Sequence, residues 1–344
     1  MVIVTGGAGF IGSVLVRELL REGSRVKVLD KLLFGAAGLT DLPAKAIIQK
    51  DIRTVTAADL LDDDGQPAEA VIHLAGMSND PTSEFAPGAT WEINVGGTDR
   101  VLRAVRDAGV PRFIFASSAS IYDLGMEESE KALCEEDHVA PTATYSRSKL
   151  AAEAIVRDVS AGDPTVCCTI LRKGTVYGWS PRMRFDLVVN QMTMNGLRDG
   201  KIQVYGDGSI WRPMVSITDA ARAYLAVLRA PAAAVRGQTF NVVEKNYQVR
   251  ELAIHVQEAI CIPIGHRRPP GPLRNYQVDG QKLRGVLGWK PLDKAMIGAA
   301  EIADALRDDP ACTQGLALAR ASNIVWLKHL AEMEEALRVM GGVL

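Results

Sequence analysis

The sequence lacks the features that mark membrane, secreted and nucleic-acid-binding proteins. It has no apolar run near the ~20 residues that a membrane-spanning helix needs. Its amino terminus, MVIVTGGAGF, has neither the basic segment nor the cleavage site of a signal peptide. The 39 lysines and arginines nearly balance 41 aspartates and glutamates, so the net charge of −2 offers no basic surface to a polyanion. We therefore expect a cytoplasmic protein that binds neither membranes nor nucleic acids.

Cysteine and histidine are also scarce, with five of each in 344 residues. The cysteines form no CxxC pair, and the histidines show neither HxxxH nor HExxH spacing. We expect free, buried thiols in a reducing compartment and no metal site. The cysteines are Cys134, Cys167, Cys168, Cys261 and Cys312.

Short apolar segments alternate with helical patterns through the first half of the chain. The segments MVIVTG, SRVKVLD, AKAIIQKDI, EAVIHLAG, RFIFASSA and TVCCTILR predict strands, with helices between several of them. Strands that are apolar on both faces and alternate with helices indicate a doubly wound parallel sheet. The fold class is therefore α/β, of the Rossmann type.

After Arg172 the sequence becomes rich in glycine, proline, tryptophan and arginine, which predicts loops, and a second irregular segment is expected over about 247–308. A helix over 217–229 and the strand QTFNVV then return to the first unit, so the smaller α/β substrate domain is expected to be discontinuous. A helical tail ends the chain and packs either on its own subunit or against a partner. The predicted units are a dinucleotide-binding domain of 1–173 plus 217–245, a substrate domain of 174–216 plus 246–308, and a helical extension of 309–344.

The motif TGGAGFIG directly follows the first strand and opens the first helix. It satisfies both the GxxGxxG and the GxGxxG spacing. Glycine permits the tight turn and lets backbone N–H groups approach a pyrophosphate at the positive end of the helix dipole. The predicted cofactor contacts in this loop are Gly6, Gly9, Phe10, Ile11 and Gly12.

Two acidic residues end the next two strands. Asp30 is placed to accept hydrogen bonds from both adenosine ribose hydroxyls and to repel a 2′-phosphate, which favours NAD over NADP. Lys31 follows it and partly offsets that discrimination. Asp51 and Ile52 close the third strand, where Asp51 either accepts from the adenine amino group or caps a helix before Arg53.

The sequence YSRSK places Tyr145 and Lys149 four residues apart in a predicted helix, on the same face. A lysine ammonium next to the nicotinamide ribose lowers the pKa of the phenol. The tyrosine can then act as a base near neutral pH. With the glycine motif, this pair predicts a dehydrogenase-type active site.

These motifs, with HLAG, Asn94, FASSASIY and RPMVSITD, resemble the extended short-chain dehydrogenase/reductase family. The resemblance is to the nucleotide-sugar epimerases and dehydratases typified by UDP-glucose 4-epimerase. It implies that Ser118 helps Tyr145 to polarise the C4 oxygen of the substrate, unless Ser118 is only a turn serine. It also implies a cofactor-side position for Asn94, for which helix capping is the alternative. The segment Leu74, Ala75 and Gly76 is implied to contact the cofactor.

Two residues after Ser118 help to separate the reactions of this group. Related 4,6-dehydratases carry an Asp-Glu pair where this sequence has Ala119 and Ser120, and decarboxylating relatives carry a glutamate at the Ser120 position. Alanine and serine can neither protonate a leaving hydroxyl group nor remove a C5 proton. The resemblance therefore favours a 4-epimerase, unless another carboxylate reaches the site.

Family resemblance also implies the groups that hold the substrate. Arg212 matches an arginine that grips the sugar nucleotide's phosphates, and Arg274 lies where a second is common; the alternative is that each lies on the surface. Thr175 stands where the family often has an asparagine that contacts phosphate. Arg182 and Arg184, just beyond, either receive the carboxylate of a uronic acid or face water.

The sequence thus predicts an NAD-dependent epimerase of a nucleoside-diphosphate sugar, acting at C4 through a transient 4-keto sugar that turns over in the site. A UDP-sugar is the expected substrate, and Tyr145 is the expected acid and base. The alternatives are a 4-keto-sugar reductase, an epimerase or dehydratase acting at another carbon, and a non-enzymatic dinucleotide sensor. The family resemblance further implies a homodimer formed by the helices near 94–108 and 144–159.

Overall fold

The computed structural model describes residues 1–123, 131–269, 271 and 274–339. All six strands predicted in the first half form, although the third is shorter than its apolar segment. The strands are Val2–Thr5 (β1), Val26–Asp30 (β2), Ile47–Gln49 (β3), Ala70–His73 (β4), Arg112–Ser118 (β5), Cys167–Lys173 (β6), Thr175–Tyr177 (β7), Ile202–Tyr205 (β8), Trp211–Ser216 (β9), Thr239–Val242 (β10), Lys245–Gln248 (β11) and Ile264–Arg267 (β12).

Helices connect these strands and end the chain. A π-helical turn over Glu92–Gly96 joins the third helix to the fourth. The helices are Phe10–Arg21 (α1), Asp80–Phe85 (α2), Pro87–Trp91 (α3), Gly97–Ala108 (α4), Thr144–Gly162 (α5), Val188–Asp199 (α6), Ile217–Arg229 (α7), Ala232–Val235 (α8), Val249–Ile260 (α9), Gln281–Leu287 (α10), Ala295–Asp308 (α11), Gly315–Arg320 (α12) and Asn323–Val339 (α13).

A parallel sheet of seven strands, in the order β10-β6-β5-β4-β1-β2-β3, forms the centre of the fold. Successive residues of β1 pack into different cores: Val2 and Val4 lie on the face covered by α1 and α7, and Ile3 lies on the face covered by α4 and α5. Both faces are therefore buried, as apolar parallel strands require. The predicted Rossmann-type α/β class is confirmed.

Two smaller sheets, β11-β9-β7 and β12-β8, pack with α6, α9 and α11. Two predictions are wrong here: the segments of β7 and β9 are strands and not loops, and 247–308 contains regular helices and strands. The three residues of β7 are too few to show the alternation of apolar and polar residues that predicts a strand. They form a strand because they pair with β9. In α9, Val249, Leu252, Ala253 and Val256 follow helical spacing and are buried. The division into domains stays a prediction.

The predicted helical tail forms as two helices, α12 and α13, which are separated at Ala321 and Ser322. It packs on its own chain, where the backbone N–H of Phe185 donates to the carbonyl oxygen of Ala321 (2.8 Å). Residues 340–344 of the predicted extension lie outside the described residues. Among the helices that the structure describes, none combines the length and apolarity needed to cross a bilayer.

Candidate active site

The glycine loop joins the carboxyl end of β1 to the amino end of α1. Gly6 has a φ of +73°, which an L side chain rarely adopts, and a Cβ there would lie 2.6 Å from the backbone nitrogen of Ala75. A Cβ on Gly12 would lie 2.7 Å from the Cα of Gly7. The glycines therefore allow three backbone segments to meet at the amino terminus of α1, which leaves N–H groups open to an anion. Phe10 and Ile11 begin α1 beside them.

Replacing Gly12 with Ala should push the loop away from this position, because the methyl group would meet backbone atoms of Gly6 and Gly7 that cannot move independently. We expect NAD binding to weaken by roughly 10- to 100-fold, since a lost hydrogen bond to a charged group costs about 1.5–3 kcal/mol. Titration calorimetry measures this. Gly162→Ala is the control, because a Cβ there meets nothing within 4 Å. Unchanged affinity in Gly12→Ala would contradict the assignment of the loop.

Asp30 lies at the end of β2, directly beside the glycine loop. Its carboxylate accepts from the backbone N–H groups of Ala8 (3.0 Å) and Leu32 (2.8 Å). Burial raises the pKa of Asp30, and these two hydrogen bonds oppose that rise. A carboxylate has about four acceptor positions. Asp30 can therefore still accept from a ribose, as NAD requires.

Asp51 caps the helical turn that begins at Ile52. Its Oδ1 accepts from the backbone N–H of Arg53 (3.0 Å), and its Oδ2 pairs with the Arg53 guanidinium (2.8 Å) and with Lys31 (3.3 Å). The Arg53 hydrogen bond is the main reason why the pKa of Asp51 is lowered. The capping alternative is what the structure describes, and the predicted adenine contact stays a prediction. Ile52 is buried.

The loop after β4 contains Leu74, Ala75 and Gly76. The side chain of Asn94 makes hydrogen bonds with the next residue of this loop. Asn94 accepts from the backbone N–H of Met77 (2.8 Å) and donates to the Met77 carbonyl (3.0 Å) and to the Ser148 hydroxyl (2.9 Å). Asn94 lies inside the π-helical turn, so the helix-capping alternative is wrong. Its amide instead fixes the loop against α5, next to Lys149.

Ser118 ends β5 and caps a helical turn, so the turn alternative is what the structure describes, and its predicted part beside Tyr145 stays a prediction. Its Oγ accepts from the backbone N–H (3.2 Å) and the hydroxyl (2.9 Å) of Ser120. Its hydroxyl also acts to lower the pKa of the Tyr145 phenol, which places Ser118 near the first turn of α5.

Tyr145 and Lys149 lie one turn apart on α5. Lys149 is buried, its Nζ donates to the carbonyl of Ala116 (2.9 Å), and it lies 4.9 Å from the centre of the Phe115 ring. Burial lowers the pKa of Lys149 to about 8, against the opposing charge of Glu153. The ammonium is therefore still mostly protonated at neutral pH.

The expected lowering of the Tyr145 pKa does not follow from the protein groups. Burial dominates and raises the pKa of the phenol, while the Ser118 hydrogen bond and the charges of Arg184 and Arg274 oppose that rise. Asp80 raises the Tyr145 pKa further. Spacing places Tyr145 and Lys149 on one helical face, but it does not predict how strongly the surrounding atoms desolvate the phenol.

The two predicted phosphate-binding arginines lie together. Arg212 on β9 donates through Nη1 to the carbonyl of Arg274, and both side chains are partly buried, so neither is a simple surface residue. Arg274 pairs with the carboxylates of Asp80 and Asp123. Thr175 begins β7 and pairs with Met214 of β9. The charge of Arg274 acts on Tyr145, so this arginine lies near the phenol.

Arg182 and Arg184 do not face water. Arg182 is 7% exposed and donates to the side chain of Asn323. Arg184 forms a bidentate pair with Asp186 (3.0 and 2.9 Å), and its charge acts on Tyr145. The alternative of solvent exposure is wrong, because α13 and the loop after β4 cover this segment.

Asp80 and Asp123 were missed by sequence reasoning. Asp80 begins α2, directly after Asn79, whose φ of +70° is unusual for a residue other than glycine. Its Oδ2 pairs with Arg274, and its buried Oδ1 has no hydrogen-bond partner in the described part of the chain. The Asn-Asp-Pro sequence after β4 is a helix-start signal at the sheet edge where ligands bind, and it is the clue that was available.

Comparison with known proteins decides the family. A sequence profile described as the NAD dependent epimerase/dehydratase family matches residues 2–242. The chain belongs to this family. The resemblance to extended short-chain dehydrogenases/reductases is thereby confirmed, and the protein is an NAD-dependent enzyme, which removes the sensor alternative.

Two relatives of this epimerase/dehydratase carry different activities. A UDP-glucose 4-epimerase from Lactobacillus helveticus is 32% identical over 311 residues, which is 84% of this chain and 92% of that protein. A dTDP-glucose 4,6-dehydratase from Xanthomonas campestris pv. campestris (strain B100) is 30% identical over 320 residues, with 84% and 88% covered. The solved structure of MoeE5 with UDP-glucuronic acid and NAD superposes with a TM-score of 0.75 and 28% identity, over 89% of this chain and 99% of that one.

The residues of the site fit NAD. The glycine loop opens onto the amino terminus of α1, Asp30 offers acceptor positions at the end of β2, and Lys149 and Asn94 lie together beside Gly76 of the loop after β4. The cofactor is NAD, as the family description states. Which atoms of it each residue contacts stays a prediction.

Proposed function

We propose that this enzyme interconverts the C4 epimers of a nucleoside-diphosphate hexose, with a UDP-sugar as its substrate. The observation that carries the proposal is the Ser118, Tyr145 and Lys149 arrangement without a carboxylate at the next two positions. Ala119 is buried, and the Ser120 hydroxyl donates to Ser118 (2.9 Å), so neither residue can supply a proton to a leaving hydroxyl group. The 32% identity to a UDP-glucose 4-epimerase supports the same reaction.

Each residue has a defined part in this reaction. NAD, when bound, supplies reversible redox chemistry at C4. Tyr145 takes the proton of the C4 hydroxyl group and returns it after the sugar has presented its other face. Ser118 shares that hydrogen bond, so the oxygen is held close to the phenol. Lys149 is fixed by the Ala116 carbonyl one turn along α5 from Tyr145, and its ammonium is proposed to lie beside the nicotinamide ribose.

The diphosphate of the substrate is proposed to lie at Arg212 and Arg274. Guanidinium groups bind phosphate oxygens in pairs, Arg212 contacts Arg274, and the charge of Arg274 acts on Tyr145. Thr175, on the neighbouring strand, offers a hydroxyl group to the same phosphates. Anchoring only the nucleotide end leaves the sugar free to turn, which epimerisation at C4 requires.

A neutral hexose fits this site better than a uronic acid. Asp80 pairs with Arg274 and its charge also acts on Tyr145, so it would repel a sugar carboxylate beside the phenol. Arg184, the cation that was considered for a uronic acid, is already in a bidentate pair with Asp186. A neutral sugar can instead donate its hydroxyl groups to the carboxylates.

A dehydratase is the second candidate, because Asp80 supplies a carboxylate that the sequence around Ser118 lacks. Its buried Oδ1 has no partner within the described residues, and its charge acts on Tyr145. A carboxylate in this place can take part in proton transfer at C5. The relative from Xanthomonas is a dTDP-glucose 4,6-dehydratase.

One assay separates these candidates. UDP-glucose, dTDP-glucose and UDP-glucuronic acid are each incubated with the enzyme and no added reductant, and the products are analysed by proton NMR and mass spectrometry. We expect UDP-glucose to become UDP-galactose, with unchanged mass and with no net change in NAD. Loss of one water from the sugar nucleotide would establish the dehydratase instead. Turnover that needs added NADH or NADPH and a 4-keto sugar would establish the reductase.

A homodimer is also proposed, through α4 and α5, on the family resemblance alone. These helices pack next to each other on one face of the sheet. Sedimentation velocity over a range of protein concentrations tests this proposal. A monomer at all concentrations would contradict it.

A further inference from the structure

The C-terminal segment from Ala321 to Trp326 touches three loops that surround the cofactor site. Ala321 accepts from the backbone N–H of Phe185 (2.8 Å). Asn323 donates to the Ser78 hydroxyl in the loop after β4 (2.8 Å). Trp326 donates through Nε1 to the Leu33 carbonyl in the loop after β2 (2.6 Å). Ligands of this fold lie at the carboxyl ends of the strands, so the tail joins loops on the ligand side of the sheet.

Arg182 lies under this segment as a buried cation. It is 7% exposed, and its guanidinium lies 3.9 Å from the centre of the Phe34 ring. One of its nitrogens donates to Asn323, whereas its buried Nε has no hydrogen-bond partner in the residues that the structure describes. The same residues form no ion pair with it. A buried guanidinium of this kind lacks an anion.

The position of Arg182 indicates which anion pairs with its guanidinium. Ser180, two residues earlier, donates to the Phe10 carbonyl (2.8 Å) and bonds to the Ser13 hydroxyl (2.8 Å), both in the first turn of α1. The charges of Arg182 and Asp30 act on each other. Arg182 therefore lies between the helix amino terminus, where a dinucleotide places its diphosphate, and the carboxylate at the adenosine ribose.

We propose that Arg182 binds the diphosphate of the dinucleotide cofactor and that Asn323 and Trp326 of the C-terminal helix hold it there. The tail then controls how long the cofactor stays bound. This inference rests on the NAD dependence of the family and not on the reaction at C4.

The electrostatics of the site agree with this assignment. Burial, with the neighbouring charge of Arg184, lowers the pKa of Arg182 to about 9, despite the charges of Asp186 and Asp30. The protein therefore keeps this guanidinium in a position where its protonated form is disfavoured. A bound diphosphate offsets that cost, because it brings negative charge to a group already stripped of water.

The test compares ligands with and without a diphosphate on the full-length, cofactor-free protein. The affinities for NAD and ADP are measured by titration calorimetry, and the affinity for adenosine by its competition with ADP. The proteins compared are wild type, Arg182→Gln and the control Arg198→Gln, which lies at the exposed end of α6. We expect Arg182→Gln to lower the affinities for NAD and ADP by about 10- to 100-fold, as for a lost charged hydrogen bond. The affinity for adenosine, which has no phosphate, should fall by less than about twofold. The control should bind all three like wild type.

Two further measurements distinguish a binding role from a structural one. Arg182→Gln should not lower the Tm of the cofactor-free protein, because it removes a buried charge that forms no ion pair with any described residue. Asn323→Ala keeps Arg182 but removes its support, so the dissociation rate of NAD should rise about tenfold, of the order of one lost charged hydrogen bond. Unchanged NAD affinity in Arg182→Gln, equal losses for all three ligands, or a lowered Tm would each overturn the role of Arg182. An unchanged dissociation rate in Asn323→Ala would overturn the role of the tail.

Discussion

Replacing Tyr145 with Phe is expected to lower turnover by about 10²- to 10⁴-fold, the range that a positioned acid or base contributes. The change removes one oxygen, so the ring still packs against the protein and α5 keeps its place. Ser118 keeps its hydrogen bonds with Ser120 (2.9 and 3.2 Å), so no new unpaired group is created there. Lys149 keeps its contact with the Ala116 carbonyl (2.9 Å).

The measurement is the rate of conversion of the sugar nucleotide, with NAD affinity determined in parallel. Affinity for NAD should change by less than about threefold, because the phenol acts on the substrate oxygen. Ser118→Ala is the matched variant: it should cost less than Tyr145→Phe, since it removes only a shared hydrogen bond. A Tyr145→Phe enzyme with more than a tenth of the wild-type rate would refute the role of Tyr145.

Replacing Arg172 with Leu is expected to cost about 3–5 kcal/mol of unfolding free energy, because it leaves a buried carboxylate without its main partner. Arg172 is 2% exposed and forms a bidentate pair with Glu153 (3.0 and 2.8 Å), which is fully buried. Arg172 also donates to the hydroxyl of Tyr122 (2.7 Å). The pair joins β6 to α5 one turn beyond Lys149, so the active-site helix depends on it.

Urea denaturation measures this loss, and a double-mutant cycle assigns it to the pair. Arg172→Leu combined with Glu153→Leu should recover a large part of the stability, because two apolar groups of similar volume replace two buried charges. Arg106→Leu is the control, since its pair with Asp163 leaves the arginine half exposed and is worth at most about 1 kcal/mol. A loss in Arg172→Leu as small as in this control would contradict the prediction.

The cofactor half of the site could be predicted from the sequence because its signals are local. The glycine spacing, the position of Asp30 at a strand end and the four-residue spacing of Tyr145 and Lys149 each depend on one element and its neighbour along the chain. Backbone geometry converts such spacings directly into positions: a strand end faces the ligand edge, and a helix turn places i and i+4 together. The apolar strands and the parallel sheet are predictable for the same reason.

The tertiary structure alone decided the substrate side and the cover of the cofactor site. Asp80 meets Arg274, and Arg182 meets Asn323 across 141 positions of sequence, although no periodicity relates these residues. Strands as short as β7 also depend on a partner strand that is far away in the chain. Contacts of this kind arise only when helices and strands far apart in the sequence pack together. The same packing removes water from the Tyr145 phenol and raises its pKa. The sequence by itself therefore determined the family and its cofactor, and tertiary packing determined which charged side chains lie around Tyr145 and Arg182.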